Sequence, residues 1–137
     1  MTIRAVVEGV GHYLPERIVP NTWFEEFLDT SDEWISTRTG INERRISHRC
    51  TATEALLADK RALAAAGLDA AELDMVILGT ACPDTLIPNS ASLVQANIGA
   101  VNAAVFDLNA ACTVDVYGLS VCTGMLRSGA MKKVLVI

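Results

Sequence analysis

The stretch 106-FDLNAACTVDVYGL-119 reads as the end of a buried strand that passes into an almost wholly apolar helix, with one thiol, Cys112, just past the junction. A strand that feeds a helix without a tight hairpin is the repeating unit of a parallel sheet. The neighbouring segments extend the pattern. Downstream, 111–128 reads as one long helix and "KKVLVI" at 132–137 as a further buried strand. Upstream, "DMVILGT" at 74–80 is an apolar run too short for a helix, as expected of a strand covered on both faces. Between these lie a loop, "PDTLIPNS", and a helix from Ser90 to Ile98. A helix over Thr53–Ala66 is rich in strong helix formers and stops at Gly67. "RAVVEGV" at 4–10 has the β-branched content of a strand. Asn21 is a candidate cap for a short helix over Trp23–Leu28, and Asp29 or Thr30 for another that runs through Ile35 and ends at Gly40. The order β, α, β, α, β, α, β predicts an α/β fold with a mainly parallel sheet covered by helices on both faces.

The chain's 137 residues suffice for one domain with a modest core. Sixteen acidic against 11 basic residues, a net charge of −5, offer no general attraction to nucleic acid or an anionic membrane, so neither is an expected partner. The first residues do not form a signal peptide, and the longest apolar helix is interrupted by Asp115 and Arg127, which argues against a membrane span and for a cytoplasmic protein. The four cysteines form no CxxC pair, so neither a metal site nor a disulfide framework is expected.

Two readings of Cys112 follow from its position. At the start of a helix, the helix dipole and unpaired backbone N–H groups stabilise a thiolate and can bind an oxyanion, which suits acyl transfer through a thioester. A free cysteine is more often a small buried hydrophobe, and from position alone that is the commoner case. Cys82 and Cys122 read as loop and packing residues.

The blocks "GVGHYLPERIVPN", "DTSDEWISTRTGINERRI", "TACPDTLIPNSASLVQ", "AVFDLNAACTVDVYGL" and "SGAMKKVLVI" resemble, in order and over almost the whole chain, the β-ketoacyl-acyl-carrier-protein synthase III family of the thiolase fold. The resemblance implies a thiolase-like domain over 1–137, the first part of an N-terminal repeat, with a C-terminal half absent. It implies that Cys112 takes an acyl group from coenzyme A, for decarboxylative condensation with malonyl-acyl-carrier protein in fatty acid or polyketide synthesis. Trp34 and Arg38 match positions that sandwich the adenine of coenzyme A, and Thr30 matches a neighbouring contact. No cofactor is bound permanently, acyl-coenzyme A being a substrate. Acyl carrier protein is the implied partner, and a homodimer the implied assembly, with Ile87 directed toward the neighbouring subunit.

Two departures stand out. Where the family has a small residue, a glycine and an aromatic after the cysteine, this chain has Thr113, Val114 and Asp115. Asp115 falls three residues beyond Cys112, on the same helix face, where its charge would oppose a thiolate. The histidine and asparagine that assist decarboxylation in the family belong to the absent half; His12 and His48 lie in other blocks and read as structural and loop residues. Arg38, Arg44, Arg45 and Arg49 form a basic stretch that would meet phosphates or simply face solvent. Of the rival readings, a dinucleotide-binding domain fails because "GVGHYL" has Leu14 where the third glycine belongs. An acyltransferase that does not condense, and an inactive truncated chain, remain compatible with the residues.

Overall fold

The computed structural model describes residues 4–48 and 51–137, and of residues 51–53 the backbone alone. The chain divides into two compact units, one of Leu14–Arg49 and one of Met1–Tyr13 with Cys50–Ile137.

The larger unit is built on a parallel three-stranded sheet in the order β4-β3-β5, with β3 at Met75–Gly79, β4 at Ala104–Leu108 and β5 at Val134–Val136. Strand β3 lies in the middle, and its side chains alternate between the faces. Val76 and Leu78 join Leu63, Ala91 and Val94 beneath helices α2 (Thr51–Ala66) and α3 (Ser90–Ile98). Met75 and Ile77 face the opposite way, against Cys122 of helix α4 (Val114–Ser128). This alternation explains why "MVIL" has no polar face: each side chain meets a helix layer. Val76, Ile77, Leu78 and Val94 are the largest apolar side chains completely withdrawn from water, each worth about 1.5–3 kcal/mol of burial.

Residues 4–13 do not form the expected strand; they have no regular secondary structure, and Val6, Val7 and Val10 are exposed. The β-branched side chains are suited to a sheet, but among the described residues no strand edge lies beside them. Gly9 instead runs so close to α2 that a Cβ there would sit 2.6 Å from the backbone nitrogen of Ala66.

The smaller unit holds an antiparallel pair that the sequence pattern did not reveal, β1 (Arg17–Pro20) with β2 (Glu43–Ile46), enclosing a 3-10 helix at Asn21–Glu26 and helix α1 (Asp32–Thr39). Its charged residues, such as Arg45, hide the strand period. Asn21 is not a helix cap. It is buried, and its amide donates to Asp32 Oδ1 (2.9 Å) and to the Ile41 carbonyl (2.6 Å) while its oxygen accepts from Arg44 (3.2 Å), which ties the strand pair to α1. The cap of α1 is Ser31, which accepts from the Trp34 backbone N–H. Among the described residues, no helix is long and apolar enough to cross a membrane, and no cluster of three or more His, Cys, Asp or Glu side chains could hold a metal ion.

Candidate active site

The carboxyl ends of β3 and β4 lie side by side, and each strand opens there into a loop that leads to a helix. Open α/β sheets place their crevices at this edge. The loop after β4 is short. Ala110 leads to Ala111, whose φ of +45° falls in the left-handed region, and residues Ala111–Thr113 make one 3-10 turn before α4. A non-glycine residue there is strained, and the strain is held by Thr113, which donates to the Ala110 carbonyl from both its backbone N–H (3.1 Å) and its hydroxyl (2.7 Å). Cys112 sits within this turn, exposed. No side chain caps the N-terminus of α4, and its first N–H, that of Val114, is spent on the Ala111 carbonyl.

Two glycines bring α4 close to the sheet. A Cβ on Gly79 would collide with Val114, and one on Gly118 would sit 2.9 Å from Val136. The strand end is also anchored laterally. Asp107 of β4 accepts from the backbone N–H groups of Ser90 (2.9 Å) and Ala91 (2.7 Å) at the start of α3, where a carboxylate complements the helix dipole. A polar residue inside an otherwise apolar strand was the available signal for this anchor, which motif reading passed over. Asp115 lies in the first turn of α4, exposed like Cys112. Cys82 is exposed in the loop after β3, and Cys122 is buried, with its sulfur bonded to the Leu119 carbonyl.

In the smaller unit, α1 places Trp34 and Arg38 one turn apart, with the guanidinium 4.6 Å from the indole centroid. Trp34 is 51% exposed, so it is a surface residue and not part of the core. Thr30, just before the cap of this helix, has a buried hydroxyl with no hydrogen-bond partner. The basic stretch is already engaged in part. Arg44 reaches Asn21 and lies over Phe24, and Arg45 pairs with Glu43 (3.3 Å); Arg49 lies outside the described residues. Both His12 and His48 are exposed. Trp34, Arg38 and Thr30 thus gather about one helix of the smaller unit, while Cys112 belongs to the larger.

Residues 106–137, which begin at the end of β4 and include the Cys112 turn, match the family described as 3-Oxoacyl-[acyl-carrier-protein (ACP)] synthase III. The chain is similar throughout to part of a synthase III. It is 52% identical over 133 residues to β-ketoacyl-[acyl-carrier-protein] synthase III 2 of Vibrio vulnificus, an alignment covering 97% of this chain and 37% of that one. It is 50% identical over 139 residues to the synthase III of Rhodobacter capsulatus, covering 100% of this chain and 43% of the relative. Among solved structures, the synthase III of Aquifex aeolicus VF5 superposes with a TM-score of 0.91 at 42% identity, over 99% of this chain and 44% of that one. The priming β-ketosynthase of the R1128 polyketide pathway superposes equally well, at 37% identity, over 99% and 42% of the two chains. The fold is thiolase-like, and the chain spans about two fifths of the length of the relatives it matches.

Proposed function

We propose that this chain is the acyl-accepting part of a β-ketoacyl-acyl-carrier-protein synthase III. The observation that carries the proposal is the exposed thiol of Cys112 in a strained turn at an uncapped helix N-terminus. The thiolate attacks the carbonyl carbon of an acyl-coenzyme A thioester. The bond from that carbon to the coenzyme's sulfur breaks, the acyl group passes to Cys112, and coenzyme A leaves as its thiol. We assign stabilisation of the oxyanion formed on the way to backbone N–H groups beside the thiol.

Trp34 and Arg38 hold the adenine by stacking, an indole and a guanidinium both being flat and polarisable, and the Thr30 hydroxyl supplies a hydrogen bond it does not spend inside the protein. The acyl-enzyme then condenses with malonyl carried on acyl carrier protein, in fatty acid or polyketide synthesis in the cytoplasm, within a homodimer. The loop tip at Leu86 and Ile87, 84% and 93% exposed, is the surface proposed to meet the second subunit.

Peptide mapping after incubation with radiolabelled acetyl-coenzyme A tests the first step. Label is expected on Cys112. Label on Cys82 or Cys122 with Cys112 bare would refute the assignment.

A further inference from the structure

We propose that Thr113 is a positioning residue: its hydroxyl holds the Ala110–Ala111 peptide in one of two orientations and so sets the geometry in which the thiol of Cys112 meets an acyl carbonyl. This inference rests on the acyl transfer assigned to Cys112. Thr113 is the first of the three consecutive departures from the synthase III pattern, directly after the thiol.

Both ends of the turn are fixed independently of the Thr113 side chain. Upstream, the Leu108 carbonyl at the end of β4 accepts from the Thr80 N–H (3.1 Å), and Asp107 is bonded to the start of α3. Downstream, Val114 packs so closely on Gly79 that a Cβ on the glycine would sit 2.4 Å from a Val114 methyl carbon, and the Val114 N–H donates to the Ala111 carbonyl. Between these anchors the planar peptide that joins Ala110 to Ala111 keeps one motion, a flip about its flanking bonds. Such a flip changes ψ of Ala110 and φ of Ala111 together and leaves the neighbouring chain in place.

The observed orientation is the costly one. Ala111 has a φ of +45°, where its Cβ crowds the following carbonyl oxygen, and a flipped peptide would return that φ to the extended range. What holds the peptide is its carbonyl, that of Ala110, which accepts from the Thr113 N–H at 3.1 Å and from the Thr113 hydroxyl at 2.7 Å. Any residue but proline at 113 brings the first donor; only a hydroxyl brings the second. One hydrogen bond is comparable in energy to the strain of a left-handed alanine, so a single bond leaves the two orientations nearly balanced and the pair decides between them.

The consequence falls on Cys112. A flip exchanges the Ala111 N–H and the Ala110 carbonyl across the turn that carries the thiol, so the local dipole reverses. An N–H near the reacting carbonyl favours a developing oxyanion, and a carbonyl oxygen opposes it. Thr113 is itself exposed, so its side chain can be changed without disturbing the core.

The test compares, in the intact chain, Thr113→Val, which keeps the branched shape and loses the donor, with Thr113→Ser, which keeps the donor. With acetyl-coenzyme A as the probe, Thr113→Val is expected to label Cys112 about fivefold more slowly at saturation with the half-saturating concentration unchanged, and Thr113→Ser to recover most of the rate. The coupling between the amide and α protons of Ala111, read by NMR, should rise toward its extended value in Thr113→Val alone. Slow hydrogen exchange at Ile77, fully buried on β3, shows that each variant is folded. Equal rates for the wild type and Thr113→Val, or a serine variant no faster than the valine one, would overturn the proposal and leave the acyl-transfer reading standing. So would an unchanged Ala111 coupling in Thr113→Val. No label on the wild type would instead refute the acyl transfer itself, and the positioning role with it.

Discussion

Cys112 and Asp115 lie three residues apart on the first exposed turns after β4, and their like charges repel in any state that carries a thiolate. Both face solvent, so the repulsion is screened and worth only a fraction of a kcal/mol to about 1 kcal/mol. Asp115→Phe is therefore expected to speed alkylation of Cys112 by iodoacetamide about twofold to fivefold at low ionic strength, with the gain fading in high salt. An unchanged rate at low salt would mean that Asp115 turns toward the helix N–H groups and away from the sulfur. For Trp34 the expectation is larger. If the indole stacks on adenine, Trp34→Ala should weaken coenzyme A binding by about tenfold or more, a loss of roughly 1–3 kcal/mol, with circular dichroism unchanged because the ring is half exposed. Equal affinity in a calorimetric titration would leave the Arg38 contact as a surface pair only.

Strand β4 and helix α3 are joined by one side chain. Asp107 accepts two backbone N–H bonds at the start of α3, and Ser90, fully buried there, in turn accepts from the Asp84 N–H (2.9 Å). The same carboxylate thus fixes the end of β4, the start of α3 and the loop after β3, the three pieces that surround the Cys112 turn. Asp107→Ala removes two charge-assisted bonds and leaves partly buried donors unpaired, so a loss of about 2–4 kcal/mol is expected in urea unfolding. Its second effect should be slower acyl loading of Cys112 with the thiol still present. Asp107→Asn should restore part of the stability, since it keeps one acceptor. At the other end of the sheet, Asp74 accepts from the backbone N–H groups of Lys132 (2.7 Å) and Lys133 (2.9 Å), which holds its carboxyl below the usual range and fixes the entry to β5.

For the molecule as a whole, the least ordinary feature is a buried carboxyl group, Asp59, in the core. Burial on α2, with one oxygen unpaired, pushes Asp59 from the usual carboxylate value of 3.8 up to about 7. The folded chain therefore keeps a proton that the unfolded chain releases once the pH passes about 4. The contribution of Asp59 is fully present below that point and is lost as the pH rises, until Asp59 ionises in the folded state near pH 7, for a total of about 4 kcal/mol. Glu72, hydrogen-bonded to Lys133, and Asp74 shift the opposite way, so their contributions are lost only as the pH falls through the acid range. Between about pH 5 and 7 the slope belongs to Asp59. Urea midpoints should decline across that window, and Asp59→Asn should flatten the decline. A wild-type profile that rises from pH 5 to 7 would show that Asp59 finds a partner.

The sequence by itself determined the elements with a strong period or a clear stop. Helix α3 runs from Ser90 to Ile98 as its apolar spacing predicts, α2 ends before Gly67, and the short apolar runs are strands of a parallel sheet because both their faces are covered. The position of Cys112 between strand and helix was equally legible, since "FDL" changes to a helical period within a few residues. Tertiary structure alone decided the rest. Arg4–Val10 has strand composition yet no strand, because a strand exists only beside a partner edge. Arg17–Pro20 and Glu43–Ile46 pair across the whole length of α1, a contact no local pattern encodes. Asn21 had the composition of a cap and became a buried crosslink, Ala111 took a left-handed φ that alanine does not favour by itself, and Asp59 was turned inward by the face on which α2 packs. Each depends on residues distant in the chain, and periodicity carries only what neighbours in sequence impose.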